Sequence, residues 1–352
     1  MSSASMVILK DVCIQVLDKS VHRPYFLKMF LLSGIEPYFA YLETVTSVKA
    51  VIVESRYYSV IIRTIDENIQ IYVPKNLFRT MSFNFGLYAR SVVINAEPDR
   101  YFIDGLRRNN RLEELDYNWH NKKVFYSIIS KPRYLEKLTG RDYILRMLLH
   151  RPITSKTVVV RNSNSWKLIP IVRQFSPVEL SFINCDNTLN EVAEIIRNDP
   201  SFSMTDVRKF SFETRRIDLD ENLIHYLRIL KRVFPKLEEI SIVFNSLSYM
   251  APPESLQLLI PTKLKEFFNE ILNSSLDSVK ICLDFRRFLY LGVVYNLDFI
   301  PNYGKQIRQL FRNSEVNVDG KLGIVASGDD GNVFFKIDLR VEPASYVVYS
   351  QS

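Results

Sequence analysis

The sequence predicts an α/β fold built by repetition, behind an N-terminal helical segment and a small strand cluster. Three observations carry that expectation. Residues 234 to 246, FPKLEEISIVFNS, put Leu237, Ile240, Ile242 and Asn245 at the positions of L-x-x-L-x-L-x-x-N, the strand and corner of a leucine-rich repeat. Short β phrases of this kind recur from about residue 88 to 285, with amphipathic helical segments between them. Glycine is scarce, 10 in 352, against an average near 7%, which disfavours folds that need many hairpin turns or phosphate-cradling loops. A strand–helix unit has one apolar face that it cannot bury alone, and stacking such units buries it. The expected architecture is therefore an irregular leucine-rich-repeat-like solenoid, with a helical segment at 1–45, strands at 46–88, the array at 89–312 and a hairpin cap at 313–352.

The helical segment rests on periodicity. In SMVILKDVCIQVLDKS, Leu9, Val12, Cys13, Val16 and Leu17 recur at three and four residues and share a helix face, with Ser5 placed to cap it. After His22 to Pro24, YFLKMFLLSG reads as a second, more apolar helix closed by Gly34. Residues 25 to 42 come nearest to a membrane span, but Lys28, Glu36 and Pro37 interrupt them, so a buried helix is expected instead. The strand cluster follows from SVKAVIVESRYYSVIIRTIDENIQIYV, rich in Val, Ile and Tyr, with a turn centred on Asp66 to Asn68.

The β phrases of the array are RSVVIN, LEELDYN, KTVVVRN, VELSFINC, VRKFSFE, LEEISIVFN and VKICLDF. Their successive steps are about 23, 43, 22, 30, 30 and 39 to 41 residues, and the two long steps are expected to hold a helix and an insertion. Strands joined by helical crossovers run parallel, with right-handed connections. Helices are predicted in NTLNEVAEIIRND, where Thr188 and Glu191 form a capping box, in DENLIHYLRILKRVF, opened by Asp220, and in PTKLKEFFNEILNS. GKLGIVASGDDGNVFFKIDLRVE reads as a hairpin whose tip is Ser327 to Asn332, capping the array.

Composition bounds the function. With 47% apolar, 12% aromatic and 24% charged residues the chain is that of a packed protein. The charge of +7 is dispersed in doublets such as Arg107-Arg108 and Arg215-Arg216, more like solvated faces than a nucleic-acid footprint. Cys13, Cys185 and Cys282 lie far apart without a C-x-x-C pair, which fits reduced thiols and a cytoplasmic or nuclear place. His22, His120, His150 and His225 have no partner at metal-ligand spacing, and phosphate-loop, dinucleotide and nucleophile-elbow signatures are missing. Neither an enzyme nor a cofactor is expected. The paired aspartates of SGDDGN read as a turn rather than a Mg²⁺ site. Most of the 23 Phe and 19 Tyr, among them Phe182, Phe210, Phe212, Phe267 and Phe268, fall at apolar positions of the periodic segments, where core packing is expected.

In this order of elements the chain resembles the divergent F-box families expanded in nematodes. ASMVILKDVCIQVLDKS looks like the first F-box helix and KAVIVESRYYSVIIRTIDENIQIYV like the strand pair that follows it, although Ser5 and Met6 stand where that helix is normally preceded by Leu-Pro. The resemblance implies a non-enzymatic substrate receptor that docks on the small adaptor of a cullin–RING ubiquitin ligase through Val7, Leu9, Val12, Val16 and Leu17. Two alternatives stand beside it. One is a diverged member that sequesters a protein partner as inhibitor or antidote without binding the ligase. The other is nucleic-acid binding through Arg228, Lys231 and Arg232.

Overall fold

The structure, a computed structural model, describes residues 3–19, 25–64, 67–75, 79–129, 133–148, 151, 153–161, 169–183, 194–214, 221–248, 261–273, 276, 278–290, 299–311, 313–319 and 323–342. They form two compact units, 1–159 and 160–352, each a mixture of helices and strands.

The first unit opens with three helices, α1 (Ser3–Lys19), α2 (Tyr25–Leu32) and α3 (Ile35–Thr46). Helix α1 buries Cys13, Ile14 and Leu17, a stripe at helical spacing. It packs on α3, which buries Ala40, Tyr41, Thr44 and Val45. Sequence periodicity predicts only the first two helices, because Pro37 reads as an interruption. Pro37 instead occupies the first turn of α3, where a backbone N–H has no intrahelical acceptor in any case.

Strands β1 (Val48–Val53), β2 (Tyr57–Arg63) and β3 (Asn68–Pro74) form the antiparallel cluster expected after the helices. Its second turn closes where the Thr64 amide donates to the Glu67 carbonyl at 2.9 Å. Helix α4 (Arg79–Tyr88) leads to β4 (Ser91–Ile94), α5 (Arg100–Arg108) to β5 (Glu114–Tyr117), α6 (Lys122–Ile128) to β6 (Arg133–Arg141), and α7 (Asp142–Met147) to β7 (Ile153–Arg161), which reaches the boundary of the unit. The order is β6-β5-β4-β1-β2-β3, with β1, β4, β5 and β6 parallel. Val92, Leu115 and Leu138 are register partners, so two successive steps are 23 residues long.

That register corrects one expectation. The step of about 43 residues before KTVVVRN holds a whole strand, β6, rather than only a helix and an insertion. Strand β6 escapes pattern reading because its buried Leu135 and Leu138 are three apart, a helical spacing, and are separated by exposed Glu136 and Lys137.

In the second unit the short helix α8 (Ile169–Val172) precedes β8 (Glu179–Ile183) and β9 (Lys209–Thr214). Then come α9 (Glu221–Val233), β10 (Glu239–Ser248), α10 (Pro261–Leu272), β11 (Lys280–Tyr290) and α11 (Phe299–Leu310). Strands β12 (Glu315–Asp319), β13 (Gly323–Asp330) and β14 (Val333–Glu342) end the described chain. The order is β8-β9-β10-β11-β14-β13-β12, parallel from β8 to β14 and antiparallel beyond. The predicted hairpin is β13–β14, with Gly331 at φ 65° in a two-residue turn. Strand β14 also pairs with β11, which continues the parallel sheet.

Register aligns the core of this unit in rows. Leu180, Phe210, Ile240, Ile281 and Val333 form one, and Phe182, Phe212, Ile242, Leu283 and Phe335 the next, all of them buried. Against this side α9 buries Leu223, Leu227, Leu230 and the following Phe234, and α10 buries Leu264, Phe267, Phe268 and Ile271. The expected capping box of Thr188 and Glu191, with Leu189, Val192 and the cap Asp220, lies outside the described residues. Ile195 and Ile196 sit half-buried in the helical turn 194–198.

Candidate protein-docking site

Apolar side chains that a sequence commits to a helix either enter the core or stay in water, and the second outcome is informative when it is concentrated. Among the described residues 14 large apolar side chains are exposed, and nine of them lie on α1 to α3: Val7, Ile8, Val12, Tyr25, Met29, Leu32, Ile35, Tyr38 and Phe39. Their spacing makes stripes. On α2, Tyr25, Met29 and Leu32 fall at i, i+4 and i+7, on the side away from buried Leu27. On α3, Ile35, Tyr38 and Phe39 fall at i, i+3 and i+4, and on α1 Ile8 and Val12 are one turn apart. Met29 and Ile8 are each 63% exposed and Leu32 72%. Residues 3–46 carry Lys10, Lys19, Arg23 and Lys28 against Asp11, Asp18, Glu36 and Glu43, so the segment is neutral. A neutral surface gives no electrostatic pull toward anionic lipid or nucleic acid.

The five residues that the F-box resemblance singles out do not share one environment. Val7 and Val12 are exposed, Leu9 and Val16 are half-buried, and Leu17 is fully buried in the protein's own core. Leu17 therefore holds α1 in place and is closed to a partner. The exposed apolar side chains are Ile8 and Val12 on α1 together with the stripes on α2 and α3. Pattern reading placed α2 as a helix but expected it buried, as a helix apolar all round should be; the structure leaves Tyr25, Met29 and Leu32 exposed, and the signal for that was a second apolar stripe opposite Leu27.

The basic residues of α9 are arranged for local structure. Lys231 Nζ donates to the Leu237 carbonyl at 2.9 Å and Arg232 to the Pro200 carbonyl at 3.2 Å, while Arg228 is exposed. Two of the three are thus tied to backbone next to the helix end, where cations also favour the helix dipole. The SGDDGN segment is tied down as well: the tip is shorter than predicted, since Ser327 to Asp330 pair with β14 as the end of β13 and only Gly331 and Asn332 form the turn. Asn332 Nδ2 donates to the carbonyls of Leu276 and Val279 at 2.8 and 2.5 Å, and Asn313 Nδ2 to Asp329 Oδ1 at 3.3 Å. Among the described residues no group of three or more His, Cys, Asp or Glu is placed to hold a metal ion. His120 and His225 are exposed; His22 and His150 lie outside the described residues. No described helix is long and apolar enough to cross a membrane.

A cleft of about 420 Å³ lies beside the helices, between α1 (Val7, Lys10, Asp11, Ile14, Gln15) and the β2–β3 turn region, with Ile62 and Ile69 on its apolar side. Lys10, which lines it, pairs with Glu43 of α3. Cys13, behind α1, bonds to Thr44, and burial pushes its thiol up to about 12.

Comparison with family models, with curated proteins and with solved structures finds no match to this chain.

Proposed function

We propose that the protein is a non-enzymatic recognition module that uses its N-terminal helices to hold a protein partner. The reading is supported above all by the concentration of nine of the 14 exposed large apolar side chains on α1 to α3, in stripes and without net charge. In the form the F-box resemblance gives it, the partner is the small adaptor of a cullin–RING ubiquitin ligase. The second unit, read as an irregular leucine-rich-repeat-like array, presents the target. The equal apolar rows from Leu180 to Val333 and the helical crossovers between parallel strands support that array. A partner held stoichiometrically without a ligase is the other protein-binding form of the same reading. The bonds of Lys231 and Arg232 to backbone carbonyls count against nucleic-acid binding through α9.

The test is affinity purification from cells with the full chain and with the double variant Met29→Asp, Leu32→Asp. Both side chains are exposed, so the variant keeps its fold. Recovery of the ligase adaptor by the native chain and its loss with the variant is the expected result. A different stoichiometric partner lost in the same way selects the sequestering form, and partners retained unchanged by the variant sink the helical site.

A further inference from the structure

Among the described residues β3 is the edge strand of the first unit, and we infer that it takes an extended peptide segment from a partner protein as an added strand. This inference is independent of the helical docking site. It starts from hydrogen-bond phase. Thr64 bonds to Glu67 and Lys75 to Arg56 across the β2–β3 pair, and in an antiparallel ladder the inward-bonding residues alternate. With Ile62 opposite Ile69, Val60 opposite Ile71 and Tyr58 opposite Val73, the odd-numbered residues of β3 spend their backbone groups on β2. The N–H and C=O groups of Asn68, Gln70 and Tyr72 point the other way. No backbone hydrogen bond engages them among the described residues.

Natural proteins blunt such edges with lysines, bulges or covering groups. The edge strand of the second unit is treated in that way: β12 alternates exposed Glu315, Asn317 and Asp319, and the Arg308 guanidinium donates to the Val316 carbonyl at 2.6 Å. Strand β3 carries no lysine, and its proline, Pro74, stands at its last position. Outward-pointing backbone groups on three alternate residues accept one ligand chemistry well, another extended backbone.

The side chains of such a strand have places to go. Residues of the added strand on the helix face are directed toward the 420 Å³ cleft between α1 and the β2–β3 turn, where exposed Val7 and half-buried Ile69 offer apolar contact and Asp11, Arg63 and Glu67 offer charge. Residues on the other face meet exposed Tyr72, which stands edge-on to Tyr57 with ring centroids 5.3 Å apart. Backbone bonds then supply affinity and the cleft supplies selection, with alternate residues read.

The probe is a phage-displayed library of random peptides panned on the full chain, followed by amide hydrogen exchange of the chain with and without a selected peptide. In the free chain, Asn68, Gln70 and Tyr72 amides are expected to exchange about ten-fold or more faster than those of Ile69, Ile71 and Val73. A bound peptide should remove that difference. Gln70→Pro deletes one outward N–H and no bond to β2, a change tolerated on an edge, and should weaken the peptide about ten-fold, the equivalent of one good hydrogen bond. A library that yields no binder overturns the inference, as do binders that leave the three amides unprotected. Protection of these amides already present in the free chain and lost on dilution assigns the edge to a second copy and overturns it too. The exchange readout is made on the unsubstituted chain, so it decides the matter even where Gln70→Pro fails to fold.

Discussion

Gly86 on α4 and Gly105 on α5 meet where the two helices cross with no space for a side chain. A Cβ on Gly105 would lie 2.0 Å from the Phe83 carbonyl oxygen, and one on Gly86 2.3 Å from the Phe102 carbonyl oxygen. Both obstacles are backbone, which cannot rotate away. Gly86→Ala and Gly105→Ala should each destabilise the first unit by about 3 kcal/mol or more, despite the better helix propensity of alanine. Denaturant melts of the two single variants and the double variant check this. The double variant should cost less than the sum, because one methyl already forces the helices apart.

Asn109 is the second fixture of that crossing. It is 3% exposed, and its Nδ2 donates to the carbonyls of Gly86 and Ala89 at 2.9 and 2.7 Å while its Oδ1 accepts from the Arg111 amide at 2.6 Å. One side chain thus satisfies the end of α4 and the entry to β5. Asn109→Ala leaves three backbone groups without partners and should cost about 2 to 4 kcal/mol. Asn109→Asp should be comparably harmful, since a carboxylate accepts but cannot donate to the two carbonyls. Equal thermal stability of native chain and Asn109→Asp would remove this role.

Across the second unit the strands begin with a charge row: Glu179, Lys209, Glu239 and Lys280 are register partners. Lys209 Nζ lies 3.7 Å from Glu179 and Lys280 Nζ 3.5 Å from Glu239. Each pair is largely exposed and worth little singly. Reversal is another matter, because Lys209→Glu sets three carboxylates side by side on adjacent strands. That variant should lose about 1 kcal/mol at low salt, and the loss should shrink as salt is raised. A loss indifferent to salt would assign the effect to packing.

The sequence was most informative where burial imposes a period. All seven β phrases are strands, and the stripes of α9 and α10 are buried as their spacing implies, because the unit packs each apolar face once and in register. Legibility failed where two structural demands overlap. Strand β6 carries a three-residue spacing that imitates a helix, and α3 hides behind Pro37, a helix breaker everywhere except in the first turn. The candidate docking surface was legible only in part. Periodicity groups apolar residues by face, but it does not say which of two apolar faces the core takes, and α1 took Cys13, Ile14 and Leu17 while leaving Ile8 and Val12 in water. The edge position of β3 depends on strand order, which no local pattern contains.

Tyr58 and Cys13 make the first unit sensitive to alkali. Tyr58 is fully buried and its hydroxyl donates to Asp99 Oδ2 at 2.6 Å, while Asp99 Oδ1 caps α5 through the Phe102 amide at 2.9 Å. Burial, then the adjacent Asp99 charge, pushes the phenol far above its ordinary range, and burial likewise lifts the phenol of Tyr41 and takes the Cys13 thiol from 9.0 to about 12. A group whose pKa is higher folded than unfolded binds its proton more tightly in the folded chain. Its stabilisation is therefore complete below the unfolded value and is lost as pH rises through the window up to the folded one. The melting temperature should stay level with respect to these groups up to about pH 9, then fall as the unfolded thiol and phenols ionise and the folded ones do not. Cys13→Ala should delay the onset toward the tyrosine range, about one unit higher, and Tyr58→Phe should reduce the slope beyond it while costing about 1 to 2 kcal/mol at neutral pH for the lost bond to Asp99. In the native chain at neutral pH, Cys13 should resist a thiol reagent that labels half-buried Cys282. Rapid labelling of Cys13 without unfolding would mean that α1 opens readily from α3, and the alkaline window assigned to its thiol would then disappear.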